Sequence, residues 1–112
     1  MKMTWQLTYS VTGIRSVEEK PSSFMLEQNF PNPFNPSTVI RYQLSTAGFV
    51  SLKVYNVLGQ EVMTLVDEYE TPGTKSVEFN TASSSGVLAS GVYFYRLVTP
   101  SFSSTKKMML LR

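Results

Sequence analysis

The chain has no cysteine and no histidine. Without cysteine there is no disulfide framework and no thiol nucleophile. Without histidine the usual catalytic triads and dyads fall away, as do the commonest zinc sites. Neither absence fixes a compartment, because a domain with an adequate core needs no disulfide staples. Charge is also sparse: 10 basic against 8 acidic residues, a net +2. That is too small and too scattered for a nucleic-acid footprint. No apolar run is long enough to cross a membrane. The opening Met1-Lys2-Met3-Thr4-Trp5-Gln6-Leu7 lacks the apolar stretch of a secretory signal. Two readings follow. The protein is cytoplasmic, or the chain is the C-terminal piece of a longer exported protein whose signal lies upstream.

The 112 residues suit one domain, and hydrophobic and aromatic contents of 42% and 12% supply a core. Aromatic and β-branched residues are abundant and continuous helical periodicity is missing, which favours an all-β chain. The most distinctive segment is Gln28-Asn29-Phe30-Pro31-Asn32-Pro33-Phe34-Asn35-Pro36-Ser37-Thr38. Each proline fixes its own φ, lacks an N–H and pushes the preceding residue out of the helical region. The run reads as a stiff, turning entry to a sheet, with Phe30 and Phe34 as its expected anchors.

Ahead of it, Trp5, Leu7, Tyr9 and Val11 alternate like a strand ending at Gly13. Residues 15–23 are polar and read as a linker. Residues 1–23 are therefore the tail of an upstream domain with its linker, or an extra edge strand. After the run, alternation predicts strands over 39–44, 50–55, 61–66, around Val77 and Phe79, over 92–98 and over 105–111. Asn56-Val57-Leu58-Gly59 predicts a type I turn with a left-handed glycine. Residues 67–73 are expected to be an acidic loop, and 81–86 a small-residue loop. Within 92–98, the Tyr93/Tyr95/Leu97 face is the expected core face, because the other face carries Arg96. The whole pattern is that of an all-β, antiparallel β-sandwich of about seven strands.

Chemistry is thin. Gly59 and Gly91 stand alone at turn positions and build no phosphate cradle. Asp67, Glu68 and Glu70 are either a calcium-binding loop or a solvated acidic one, and their spacing matches no calcium loop. The aromatic residues form a core, or some of them form a sugar-stacking platform with Trp5 as its main member. That second reading implies a carbohydrate-binding module of a secreted glycoside hydrolase. Lys106 and Lys107 begin a terminal strand that ends Met108-Met109-Leu110-Leu111-Arg112. They are edge lysines that block aggregation, or part of a strand read by a partner through strand addition or groove docking.

Four segments in order resemble one family. They are residues 26–38, Val54-Tyr55-Asn56-Val57-Leu58-Gly59-Gln60-Glu61-Val62, Leu88-Ala89-Ser90-Gly91-Val92-Tyr93-Phe94-Tyr95-Arg96-Leu97, and Thr105-Lys106-Lys107-Met108-Met109-Leu110-Leu111-Arg112. Together residues 24–112 resemble the type A C-terminal sorting domain of the type IX secretion system of Bacteroidetes and related bacteria. The departures are mild. Phe30 stands where tyrosine is common, Glu78-Phe79-Asn80 where a Trp-Asp pair is frequent, and Arg112 where lysine usually ends the chain.

The resemblance implies an immunoglobulin-like sandwich that is no enzyme; no cofactor or metal site is expected from the residues, with the calcium reading of Asp67, Glu68 and Glu70 left open. It implies an upstream cargo protein that reaches the cell surface or medium through the periplasm. The implied partners are an outer-membrane translocon and a sortase-like cysteine peptidase that cuts in the linker near 13–23. Lys106, Lys107, Leu110, Leu111 and Arg112 are the expected recognition residues. Pro31, Asn32, Pro33, Phe34, Asn35, Pro36, Gly59, Gly91 and Tyr93 are expected to serve the fold. A plain immunoglobulin-like spacer remains a further alternative.

Overall fold

The computed structural model describes residues 21–83 and 88–112, as seven antiparallel strands in two sheets. They are β1 (Met25–Leu26), β2 (Ser37–Leu44), β3 (Gly48–Tyr55), β4 (Glu61–Glu70), β5 (Gly73–Asn80), β6 (Gly91–Thr99) and β7 (Phe102–Leu110). A 3-10 turn, Thr81–Ser83, follows β5. One sheet has the order β1-β2-β5 and the other β4-β3-β6-β7. The expected strand at Trp5 to Val11 lies outside the described residues.

Period-2 alternation builds the core. In β2, Thr38, Ile40, Tyr42 and Leu44 point inward while Val39 and Arg41 face solvent. Val50, Leu52 and Val54 do the same in β3, and Tyr93, Tyr95 and Leu97 in β6. The predicted core face of β6 is therefore the observed one. Phe79, Met108 and Leu110 complete a cluster that joins both sheets. Rings and branched chains from two facing sheets fill a layer that neither sheet could bury alone.

The turn at 56–59 forms as its residues dictate. The Gly59 N–H donates to the Asn56 carbonyl at 3.0 Å, and Gly59 sits at φ 82°. The Asn56 side-chain oxygen accepts from the Leu58 and Gln60 amides at 2.9 and 3.0 Å. An L side chain at position 59 strains this backbone whatever the space around it.

Two expectations are corrected. The acidic stretch is strand rather than loop: β4 runs on to Glu70, and Phe49 pairs with Tyr69, Ser51 with Asp67 and Gly48 with Glu70. β3 is long enough to template all of it. The charges mark an edge strand, where carboxylates discourage pairing with another chain. Phe30 does not anchor the Pro/Asn run, because it is 79% exposed while Phe34 is only 2% exposed. Phe30 bridges to Val39 on the solvent side of β2, whereas Phe34 turns inward against Phe79 at 5.8 Å.

Candidate functional site

The Pro/Asn run closes one edge of the sandwich. β7 is the last strand of its sheet, so half of its backbone groups face outward with no neighbouring strand. The run supplies what a strand would have supplied. Asn32 accepts from the Met109 amide through its side-chain oxygen at 3.0 Å. Phe34 donates its N–H to the Met109 carbonyl and accepts from the Leu111 N–H, both at 3.0 Å. The Gln28 amide donates to the Lys107 carbonyl at 2.7 Å. Prolines at 31, 33 and 36 lack the N–H that would otherwise need a partner, so only Asn32 and Phe34 of the central stretch latch onto the strand. At its far end, the Pro36 carbonyl accepts from both the Thr81 amide and hydroxyl, at 2.9 and 3.0 Å.

A buried polar knot holds the near end. The Tyr95 hydroxyl donates to the Glu27 carbonyl at 2.6 Å and accepts from the Asn29 N–H at 2.8 Å. Asn29 is itself buried, donating to the Pro31 carbonyl at 3.1 Å and the Thr38 hydroxyl at 3.0 Å. Burial pushes the Tyr95 phenol up to about 12; the nearby Glu27 carboxylate adds to this and the Asn29 N–H opposes it. Burial also raises Tyr42, helped by its hydrogen bond to Glu70 at 2.8 Å. Neither Gln28, Asn29 nor Tyr95 was singled out as a site residue from the sequence. An asparagine beside prolines signals a turn, but its hydroxyl partner lies 66 residues away.

Two consequences are measurable. Tyr95→Phe leaves the buried Asn29 N–H and the part-buried Glu27 carbonyl without their partner, so a loss of about 1–3 kcal/mol is expected in urea denaturation. For both tyrosines the folded pKa lies above the unfolded value of about 10. Their contribution is thus complete below pH 10 and is lost as pH rises through the folded pKa. The melting temperature is expected to fall from pH 10 upward, and Tyr95→Phe to flatten that fall.

The predicted recognition residues divide by strand face. Lys107 and Met109 point outward, whereas Lys106 is half-buried on the inner side with Met108 and Leu110. Leu110 is 0% exposed, so its side chain belongs to the core and offers nothing to a partner. Leu111 is 51% exposed. The backbone of Arg112 donates to the Ser90 hydroxyl at 2.9 Å, and its guanidinium to the Leu88 carbonyl at 3.0 Å. Gly91 begins β6 at φ 147°, and Tyr93 donates its hydroxyl to the Ala89 carbonyl at 2.8 Å. The structure thus brings Pro31–Pro36 and the terminal strand together, although they lie near opposite ends of the sequence.

Among the described residues no group of three or more acidic side chains is placed to hold a metal ion. Glu70 instead accepts from Tyr42, and Asp67 and Glu68 follow opposite sides of β4. Tyr42, Tyr93 and Tyr95 are core, and Trp5 lies outside the described residues. No helix among the described residues is long and apolar enough to cross a membrane.

No curated protein sequence matches the chain. Among solved structures it is similar to dimeric latent PorU from Porphyromonas gingivalis, at 20% identity and a TM-score of 0.60. That likeness covers 87% of this chain and 10% of the other, so it shows a shared fold over a small part of a much longer protein. Residues 28–111 match the family described as secretion system C-terminal sorting domain. The match opens on Gln28, whose side-chain amide bonds the Lys107 carbonyl of β7, and runs to Leu111, which closes the latch. Extending over the greater part of the chain, it shows that the protein belongs to the secretion system C-terminal sorting domain family, as a sorting signal of type IX secretion.

Proposed function

We propose that the secretion machinery reads this domain as a folded unit, at the edge where the Pro/Asn run is latched to β7. A type IX sorting signal implies export to the cell surface or medium, and such signal domains are typically not enzymes. The latch is the observation that carries the finer reading. It holds the backbone of Lys107, Met109 and Leu111, so strand addition at that end of β7 is blocked. Recognition there works through side chains: Lys107, Leu111 and Arg112, with the inner Lys106 at the sandwich rim. An outer-membrane translocon is the proposed reader. On this reading residues 24–112 form the sorting domain, residues 1–23 are the tail of an upstream cargo domain or its linker, and a sortase-like cysteine peptidase cuts near 13–23.

The test fuses the full chain to the C-terminus of a periplasmic reporter in a bacterium with type IX secretion. Reporter activity is expected in the medium or on the surface, with a processed form shorter by roughly the domain. Retention of all activity in the periplasm defeats the reading.

A further inference from the structure

The outer face of the four-stranded sheet carries a groove away from the latch. Cross-strand register aligns Tyr55, Phe94 and Lys107 in one row, and Lys53, Arg96 and Thr105 in the next. All six point away from the core, because their neighbours Val54, Tyr95 and Leu97 are buried. The groove encloses about 310 Å³ and is lined by Tyr55, Asn56, Val57, Phe94, Arg96 and Thr105. Arg96 is its charged wall. The guanidinium lies over the Tyr55 ring, 5.6 Å from the centroid, and its Nε donates to the Thr105 hydroxyl at 3.2 Å. Those two contacts orient the planar fork and leave its terminal amino groups without an acceptor among the described residues. Lys53 is paired with Glu61 at 3.4 Å, whereas Lys107, beside Phe94, has no carboxylate partner among them.

The chemistry selects an occupant. A planar fork with free amino groups fits a carboxylate through two parallel hydrogen bonds. The rings of Tyr55 and Phe94 and the exposed Val57 accept an apolar side chain beside it. A neutral sugar fits less well, because the guanidinium already covers the Tyr55 face that would stack on it. An anionic membrane is recognised by clusters of four to eight basic residues, more than this face carries. β3 and β6 are paired on both sides, so a partner is met by side chains and not by an added strand.

We propose that this groove docks a segment of the secretion machinery that presents an Asp or Glu next to an apolar residue. The proposal rests on the sorting reading above and adds a second contact surface, centred on Arg96. Two measurements test it. In the first, the isotope-labelled full chain is titrated with the capped peptide Gly-Leu-Glu-Leu-Gly and with its Gln counterpart, followed by amide shifts. The Glu peptide is expected to move residues 94–96 and 105, the Gln peptide to bind about tenfold more weakly, and Arg96→Gln to lose the difference. Equal binding of both peptides overturns the proposal. So does a response at these residues to phosphatidylglycerol vesicles or a neutral hexasaccharide but not to the Glu peptide.

The second measurement uses the reporter fusion. Arg96→Glu is expected to cut export about tenfold at an unchanged melting temperature, and Arg96→Lys to restore part of it. Arg96 is exposed, so the fold should tolerate both; if Arg96→Glu melts early, Arg96→Gln is scored instead. Full export of the folded Arg96 variant, with the parent chain exported, overturns the groove alone. Failure of the parent chain to export overturns the sorting reading itself.

Discussion

Removal of residues 106–112 is expected to unfold the domain, whereas removal of Leu111 and Arg112 alone is expected to leave it folded. The longer deletion takes away Met108 and Leu110, which are 1% and 0% exposed. Truncating each such side chain costs about 2–5 kcal/mol, against a total domain stability of about 5–15. It also strips the β7 groups that partner Gln28, Asn32 and Phe34, and it bares the β6 edge. The shorter deletion loses one backbone bond to Phe34 and the exposed contacts of Arg112. Urea denaturation of the two truncations checks the contrast. The difference matters for function. An export defect in the longer deletion reports unfolding as much as recognition. A folded two-residue truncation that fails to leave the periplasm assigns reading to the chain end; one that exports normally removes Leu111 and Arg112 from the recognition surface.

Phe34→Ala is expected to cost about 3–5 kcal/mol, and Phe30→Ala less than about 0.5. The two rings are four positions apart in the same proline-rich run, yet they occupy opposite environments. Phe34 packs against Phe79 between the sheets, and its backbone carries two of the bonds to β7. Alanine keeps those backbone groups but leaves a ring-sized void beneath them. Phe30 stands in solvent beside Val39, where truncation removes little buried area. Thermal melts of both variants measure the contrast directly. Comparable losses would mean that the Phe30 ring is covered rather than exposed in solution. If Phe30→Ala lowers export without lowering stability, the exposed ring joins the recognition surface.

Much of the fold was legible locally. Alternation over 39–44, 50–55 and 92–98 separated the two faces of each strand, and the arginine at 96 marked the outer face of its own. The turn at 56–59 followed from the conformations open to asparagine and glycine. The acidic strand was missed because charge density resembles a loop when edge exposure is unknown. The two-residue β1 carries no sequence signal, since it exists only by pairing with Gln43 and Tyr42.

The site was less legible. Four motifs in order sufficed to place the chain in its family and to mark the Pro/Asn run and the terminal strand as its signatures. They did not show that these signatures touch. The Gln28 and Asn32 contacts with β7 join residues 79 and 77 positions apart. Nor did they show that Leu110 faces inward, or that Arg96 lies across Tyr55 at the mouth of a groove. By itself the sequence determined which residues share a strand face, because alternation is a property of neighbouring residues. Which edge the prolines cover and which cations are left free depend on strand order and register, and only the packed tertiary structure decided those.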